Sequence, residues 1–197
     1  MGAKELRLFI AISLPSDLQA VLAAVANPFK PVMGSTVRWV KPSHLHVTLK
    51  FLGEVDQGKI SLLKPELEQI ASQYTPMDLS FQSCGVFPGW KDPRVIWIGI
   101  QASQQLTSLA GTLESELRVL GFRSEERPFS PHLTLGRVNG GLTQTQKELL
   151  LAQVDSSKST LYGTLRADHI TLFRSDLQPE GPRYTDMSHA NFSTLHP

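Results

Sequence analysis

The chain has 197 residues, 41% of them hydrophobic and 19% charged, with a formal net charge of +1. That is the composition of a folded domain with a real core, and it excludes a disordered or low-complexity chain. A charge so near zero excludes a general electrostatic track for long nucleic acid, so such a partner would be met locally, at an end. One cysteine, Cys84, excludes an internal disulfide framework and fits a reducing cytoplasm.

Along the chain, Met1 to Ile10 is too short an apolar run for a signal peptide and carries Glu5 inside it. Leu6 stands where N-myristoylation at Gly2 calls for Ser or Thr. Leu6 to Ser13 alternates as a strand, and Ser16 is expected to cap a helix reaching about Ala26. Arg38 to Val40 is a short strand, followed by a longer one from His44 to Leu52. Ile60, Leu63, Leu67 and Ile70 recur at helical spacing between Gln57 and Ser72, with Pro65 predicting a kink or break. Met77 to Val86 and Arg94 to Ile100 read as strands joined by a turn at 87–93.

A helix from Gln104 to Leu120 carries a leucine stripe and stops at Gly121. After a strand around His132 come a shorter helix from Thr143 to Val154 and a long strand from Thr160 to Phe173. A last strand spans Tyr184 to Phe192, and 193–197 form a frayed tail. No stretch approaches the ~20 apolar residues of a membrane span. Strands and helices mix without a βαβ rhythm, which predicts an α+β fold with antiparallel sheets.

The tetrapeptide His-apolar-Thr-Leu occurs at His46-Val47-Thr48-Leu49 and again at His132-Leu133-Thr134-Leu135. On a strand His and Thr two apart share one face, so each copy offers an imidazole beside a hydroxyl with an apolar back to anchor it. Both copies follow a proline, both end near a glycine, and both lead into a helical pattern. A third match, His169-Ile170-Thr171-Leu172, has no upstream proline and runs into a loop at 179–182, so it is read as a structural strand. The two contextual copies lie nearly half a chain apart. Duplication of a strand-helix-strand lobe follows, with two sheets related by a pseudo-twofold and the motifs facing across a cleft.

Two opposed imidazoles suit opening of a phosphodiester. One activates water on one side of phosphorus, and the other protonates the leaving oxygen on the opposite side. Thr48 and Thr134 are spaced to donate to the non-bridging oxygens. Arg137 is a further phosphate candidate, although its odd distance from His132 would turn it off that face of a regular strand. Lys50, at even spacing from His46, would share the site face, with a solvated role the blander reading. Phe9, Phe51 and Trp97 are candidates for stacking on a base, against a plain role in core packing. Cys84 has no activating neighbour in sequence and reads as a buried small residue.

Several segments together resemble the RNA 2′,3′-cyclic phosphodiesterases, formerly labelled 2′-5′ RNA ligases, of the two-histidine phosphoesterase superfamily. They are Phe9-Ile10-Ala11-Ile12, Pro42 to Gly53, Pro93 to Gly99, Arg127 to Arg137, and Leu172-Phe173-Arg174-Ser175 with Gly181 and Tyr184. The resemblance implies a single two-lobed domain over 1–197, with antiparallel sheets and outer helices around a central cleft. It implies hydrolysis of an RNA-terminal 2′,3′-cyclic phosphate to a 2′-phosphomonoester without metal or cofactor. His46 would be the proton donor and His132 the acceptor. The implied partner is an RNA 3′ end or a nucleoside 2′,3′-cyclic phosphate, met by a cytoplasmic monomer with no membrane attachment.

Three rivals remain. His44-x-His46 matches a two-histidine metal spacing on one strand face, without an evident third ligand. A non-catalytic RNA-end or nucleotide-binding module would use the same fold, and so would a 2′-5′ ligase-type activity.

Overall fold

Leu6, Leu8, Ile10 and Ile12 alternate along β1 (Glu5–Ser13) and are almost fully buried. Arg7, Phe9 and Ala11 take the opposite face, and that two-faced strand organises half of the molecule. The computed structural model describes residues 5–102, 104–179 and 181–194. Gly2 and the rest of 1–4, part of the 179–182 loop, and the end of the expected tail lie outside the described residues.

After β1 come α1 (Ser16–Ala24), α2 (Lys30–Met33), β2 (Val37–Trp39), β3 (His46–Asp56) and α3 (Gln57–Ala71). β4 (Met77–Phe87), β5 (Val95–Ala102), α4 (Gln104–Val119) and β6 (His132–Val138) follow. The chain ends with α5 (Gln144–Ser156), β7 (Leu161–Ala167), β8 (His169–Gln178) and β9 (Gly181–Asn191). One sheet has the order β3-β1-β8-β9 and the other β2-β6-β5-β4-β7, with every pairing antiparallel. The expected α+β fold with two antiparallel sheets is what the chain forms.

Each motif strand pairs with the opening strand of its own half, β3 with β1 and β6 with β5. A helix follows each, α3 after β3 and α5 after β6. The halves also exchange strands: β4 joins the sheet of β5 and β6, while β8 and β9 join that of β1 and β3. One continuous apolar core therefore includes Ile10 and Val47 from one sheet, Phe81 and Ile96 from the other, and Leu67 and Leu113 from helices. Because β3 is an edge strand and β2 covers only the far end of β6, the His-x-Thr ends of both strands face each other.

Four local expectations change. Ser16 is the first helical residue rather than the cap; Pro15 holds the cap position, no side chain bonds there, and the helix stops at Ala24. α3 runs without a break through Pro65. The proline penalty of about 3 kcal/mol is outweighed by Leu63, Leu67 and Ile70, each fully buried and worth about 1.5–3 kcal/mol.

The strand expected over 160–173 is two strands, β7 and β8, because the chain crosses between sheets at Asp168. The Asp168 carbonyl accepts from Phe192 N–H at the crossing. Finally, His44 lies in a 3₁₀ turn (Pro42–His44) rather than on the strand, which begins at His46. Among the described residues, no helix is long and apolar enough to cross a membrane.

Candidate active site

Both motif strands carry a β-bulge at the same place. In the β1–β3 pair, Ala11 lies opposite Thr48 and Ile10 opposite Lys50, so Leu49 is the extra residue. In the β5–β6 pair, Trp97 lies opposite Thr134 and Ile96 opposite Gly136, so Leu135 is extra. A bulge inverts the in-out alternation beyond it. His46 and Thr48 therefore share the cleft with Phe51 and Gly53, and His132 and Thr134 share it with Arg137.

This corrects two expectations. Arg137, at odd spacing from His132, faces the cleft, while Lys50, at even spacing from His46, is 2% exposed on the core side. There the Lys50 ammonium donates to Glu114 Oε2 at 2.5 Å and to the Arg123 carbonyl at 3.0 Å. Gly136, the counterpart of Lys50, leaves room for Trp39, since a Cβ there would stand 2.9 Å from its ring.

The histidines are held alike. Nδ1 of His46 lies 2.7 Å from the His44 carbonyl, and Nδ1 of His132 lies 2.8 Å from the Ser130 carbonyl. A carbonyl only accepts, so each Nδ1 carries the proton and each Nε2 is left for a ligand. Neither Thr48 nor Thr134 spends its hydroxyl on another described residue.

The third motif differs on both counts. His169 Nδ1 pairs with Asp168 Oδ1 at 2.6 Å, and the buried Thr171 hydroxyl is engaged by Ser13 and His189, each at 3.0 Å. His169 lies outside the cleft lining.

Aromatic rings seat the imidazoles. His46 packs on Phe9 at 4.8 Å and edge-on to Tyr184 at 5.3 Å, with Phe173 stacked on Phe9. His132 meets Phe87 edge-on at 5.0 Å, and Phe87 rests on Trp97. Trp97 in turn lies over Gly85, where a Cβ would stand 2.2 Å from the indole. Phe9 and Trp97 are thus scaffold, whereas Phe51 is 50% exposed in the cleft.

Burial pushes the His46 imidazole down to about 4, with the charges of His44, Arg137 and His132 acting in the same direction and the His44 carbonyl opposing. Burial also lowers His132, helped by Arg137 and opposed by the Ser130 carbonyl. Both imidazoles are neutral at rest near pH 7.

The cleft has a volume of about 520 Å³, and its cationic lining is Arg7, Arg38, Lys41 and Arg137, with no carboxylate among the described lining residues. Sequence pattern alone assigns no role to Arg7, Arg38, Lys41 or Tyr184. Only Arg7 carries a signal, its even spacing from Phe9 on β1. Cys84 is buried, 3.4 Å from the Tyr162 hydroxyl, and burial raises its thiol. Among the described residues, no group of three or more His, Cys, Asp or Glu is placed to hold a metal ion.

The sequence pattern of the 2′-5′ RNA ligase superfamily matches residues 27–179. The chain belongs to that superfamily. It is 33% identical over 183 residues to the RNA 2′,3′-cyclic phosphodiesterase of Methanothermobacter thermautotrophicus, covering 93% of this chain and 97% of the relative. It is 34% identical over 182 residues to the enzyme of the same name from Archaeoglobus fulgidus, covering 92% and 98%. Among solved structures, a Thermus thermophilus protein superposes with TM-score 0.80 at 25% identity, over 96% of this chain and 100% of that one. E. coli LigT complexed with 3′-AMP superposes with TM-score 0.73 at 26% identity, over 96% and 99%.

Proposed function

We propose that this superfamily member is an RNA 2′,3′-cyclic phosphodiesterase, opening terminal cyclic phosphates to 2′-phosphomonoesters by paired histidine acid-base catalysis without a metal. The observation that carries the reading is the matched pair of bulged His-x-Thr strands. They bring His46, Thr48, His132, Thr134 and Arg137 to one cleft, with no carboxylate among its described lining residues. The names of relatives that align over nearly the whole chain support the same reaction.

In this mechanism His132 Nε2 takes a proton from water as its oxygen attacks phosphorus. His46 Nε2 gives a proton to the departing 3′-oxygen, so the P–O3′ bond breaks and the phosphate stays on O2′. The assignment of donor and acceptor follows the family resemblance. Charge gathers on the non-bridging oxygens, where the Thr48 and Thr134 hydroxyls and the Arg137 guanidinium supply hydrogen bonds. Arg137 contributes to the low proton affinity of the free site, an effect that bound phosphate offsets. Once its charge is offset by phosphate it no longer repels an imidazolium, and the anion itself raises both histidines.

The substrate is an RNA 3′ end or a nucleoside 2′,3′-cyclic phosphate, acted on by a cytoplasmic monomer. Chelator-treated protein should open such a substrate at an undiminished rate. Loss of activity on chelation, restored by a divalent cation, would contradict the metal-free mechanism. Binding without turnover would leave only a recognition module.

A further inference from the structure

Beyond Arg137, three cations of the cleft have no task in the reaction. Arg7 stands on β1 two residues before Phe9; Arg38 is on β2; Lys41 follows it, just ahead of the turn that carries His44. All three are exposed. None forms an ion pair with a described carboxylate, although five Arg or Lys pairs of that kind occur elsewhere on the exposed or part-exposed surface. Glu54 is the register partner of Arg7 on β3, yet the two make no ion pair. Arg38 lies directly opposite Arg137 in the β2–β6 pair. Like charges opposed across a ladder destabilise it, a cost that separate anions held by the two guanidinium groups would offset.

The concentration is local, since the whole chain carries only +1. It is also one-sided. Away from the cleft, Asp168 at the crossing into β8 pairs with His169, and Asp186 on β9 lies near His189, groups that would repel a polyanion. Two rings in the cleft, the half-exposed Phe51 and the partly buried Tyr184, offer faces or edges to bases.

We propose that Arg7, Arg38 and Lys41 form an upstream phosphate subsite. It holds the phosphodiester 5′ to the terminal nucleotide and makes single-stranded RNA, rather than a free cyclic mononucleotide, the preferred substrate. The proposal rests on the phosphodiesterase reading for its orientation: the terminal phosphate sits at His46, His132 and Arg137, and the preceding phosphates run out over the three cations. One phosphate contact per cation gives a steeper salt dependence for an oligonucleotide than for a mononucleotide. The added log-log slope is about 0.7 per neutralised phosphate.

The test compares kcat/KM for a nucleoside 2′,3′-cyclic phosphate with that for a tetranucleotide ending in one, at two salt concentrations. It uses the wild-type protein and the Arg7→Ala/Arg38→Ala/Lys41→Ala variant. The wild type should favour the tetranucleotide by about tenfold or more at low salt, mostly through KM. The triple variant should lose that preference and the extra salt slope, with mononucleotide turnover within about twofold of wild type.

Equal loss on both substrates would assign the three cations to the terminal phosphate and overturn the subsite, as would a wild type with no preference. Fluorescence anisotropy with labelled tetranucleotides ending in 2′-phosphate, competed by a nucleoside 2′-monophosphate, reads the same subsite without turnover. If neither cyclic substrate is opened but the tetranucleotide binds tightly in a way the triple variant abolishes, the reaction assignment fails and the subsite stands. Equal affinity of the wild type for both ligands overturns the subsite whatever the reaction.

Discussion

Leu49 and Leu135 hold equivalent places in the two motif strands, each being the extra residue of a bulge directly after a His-x-Thr triplet. Each bulge turns the next residue into the core and the one after it into the cleft, which is why Arg137 and Phe51 are cleft residues. Arg137→Ala should therefore lower kcat/KM for a cyclic phosphate by about 10- to 100-fold, the worth of a hydrogen bond to a charged group. Arg137→Lys should recover only part of this, because the planar two-pronged contact is lost. Steady-state kinetics on the two variants measures both effects.

Lys50 sits on the other side of the first bulge and is paired with Glu114 of α4. Removing one partner of a buried pair leaves an uncompensated charge, whereas replacing the charge by an apolar side chain of similar size is often neutral. Glu114→Ala should cost about 3 kcal/mol, and Lys50→Met much less. For a chain of this size that is a drop in Tm of roughly 6–12 °C for the first variant. Thermal unfolding of the two proteins should give that order, with KM for Lys50→Met close to wild type.

Removing either cleft imidazole should lower kcat by about 10²–10⁴-fold with the fold intact, the range for a positioned acid or base. His169→Ala should stay within a few-fold, since His169 is occupied by Asp168 and stands outside the cleft. Equal losses at all three histidines would point to a general structural effect and contradict the pairing of motifs.

The pH profile follows from the lowered imidazoles. In the free protein His46 is held at about 4 and His132 also below its ordinary value, both chiefly by burial. One group must be protonated and one neutral, so kcat/KM should be bell-shaped with its optimum below about pH 6.5, the ordinary imidazole value. It should fall on the alkaline side as the last proton leaves the pair, and on the acid side as the second proton binds. The bound phosphate anion raises both groups, so the optimum in kcat should lie at higher pH than that in kcat/KM. A profile flat from about pH 4 to 8 would contradict paired acid-base catalysis.

Much of this arrangement was legible in the residues. The alternation of β1, the leucine stripe of α4 and the two prolines before His46 and His132 specify elements that form where expected. What escaped the pattern was one-residue irregularity. Strand parity gives the wrong face for Lys50 and Arg137 because nothing in Thr-Leu-Lys announces a bulge, and the glycine of Thr-Leu-Gly hints at one only in the second strand. The sheet crossing at Asp168 likewise has no glycine or proline to mark it. Arg38 and Lys41 become neighbours of the site only when β2 pairs with β6, a long-range contact that local spacing does not encode. The third His-x-Thr was separable by its sequence context, and its hydrogen bonds to Asp168, Ser13 and His189 give the physical difference.

The most direct measurement is the identity of the product released when chelator-treated protein opens an RNA-terminal 2′,3′-cyclic phosphate. The account predicts a 2′-phosphomonoester with a free 3′-hydroxyl from the wild type, and a yield cut by about a hundredfold or more in His46→Ala and His132→Ala alike. A 3′-phosphomonoester would contradict the assignment of the departing oxygen to His46. Undiminished turnover in either variant would contradict the paired-histidine mechanism itself.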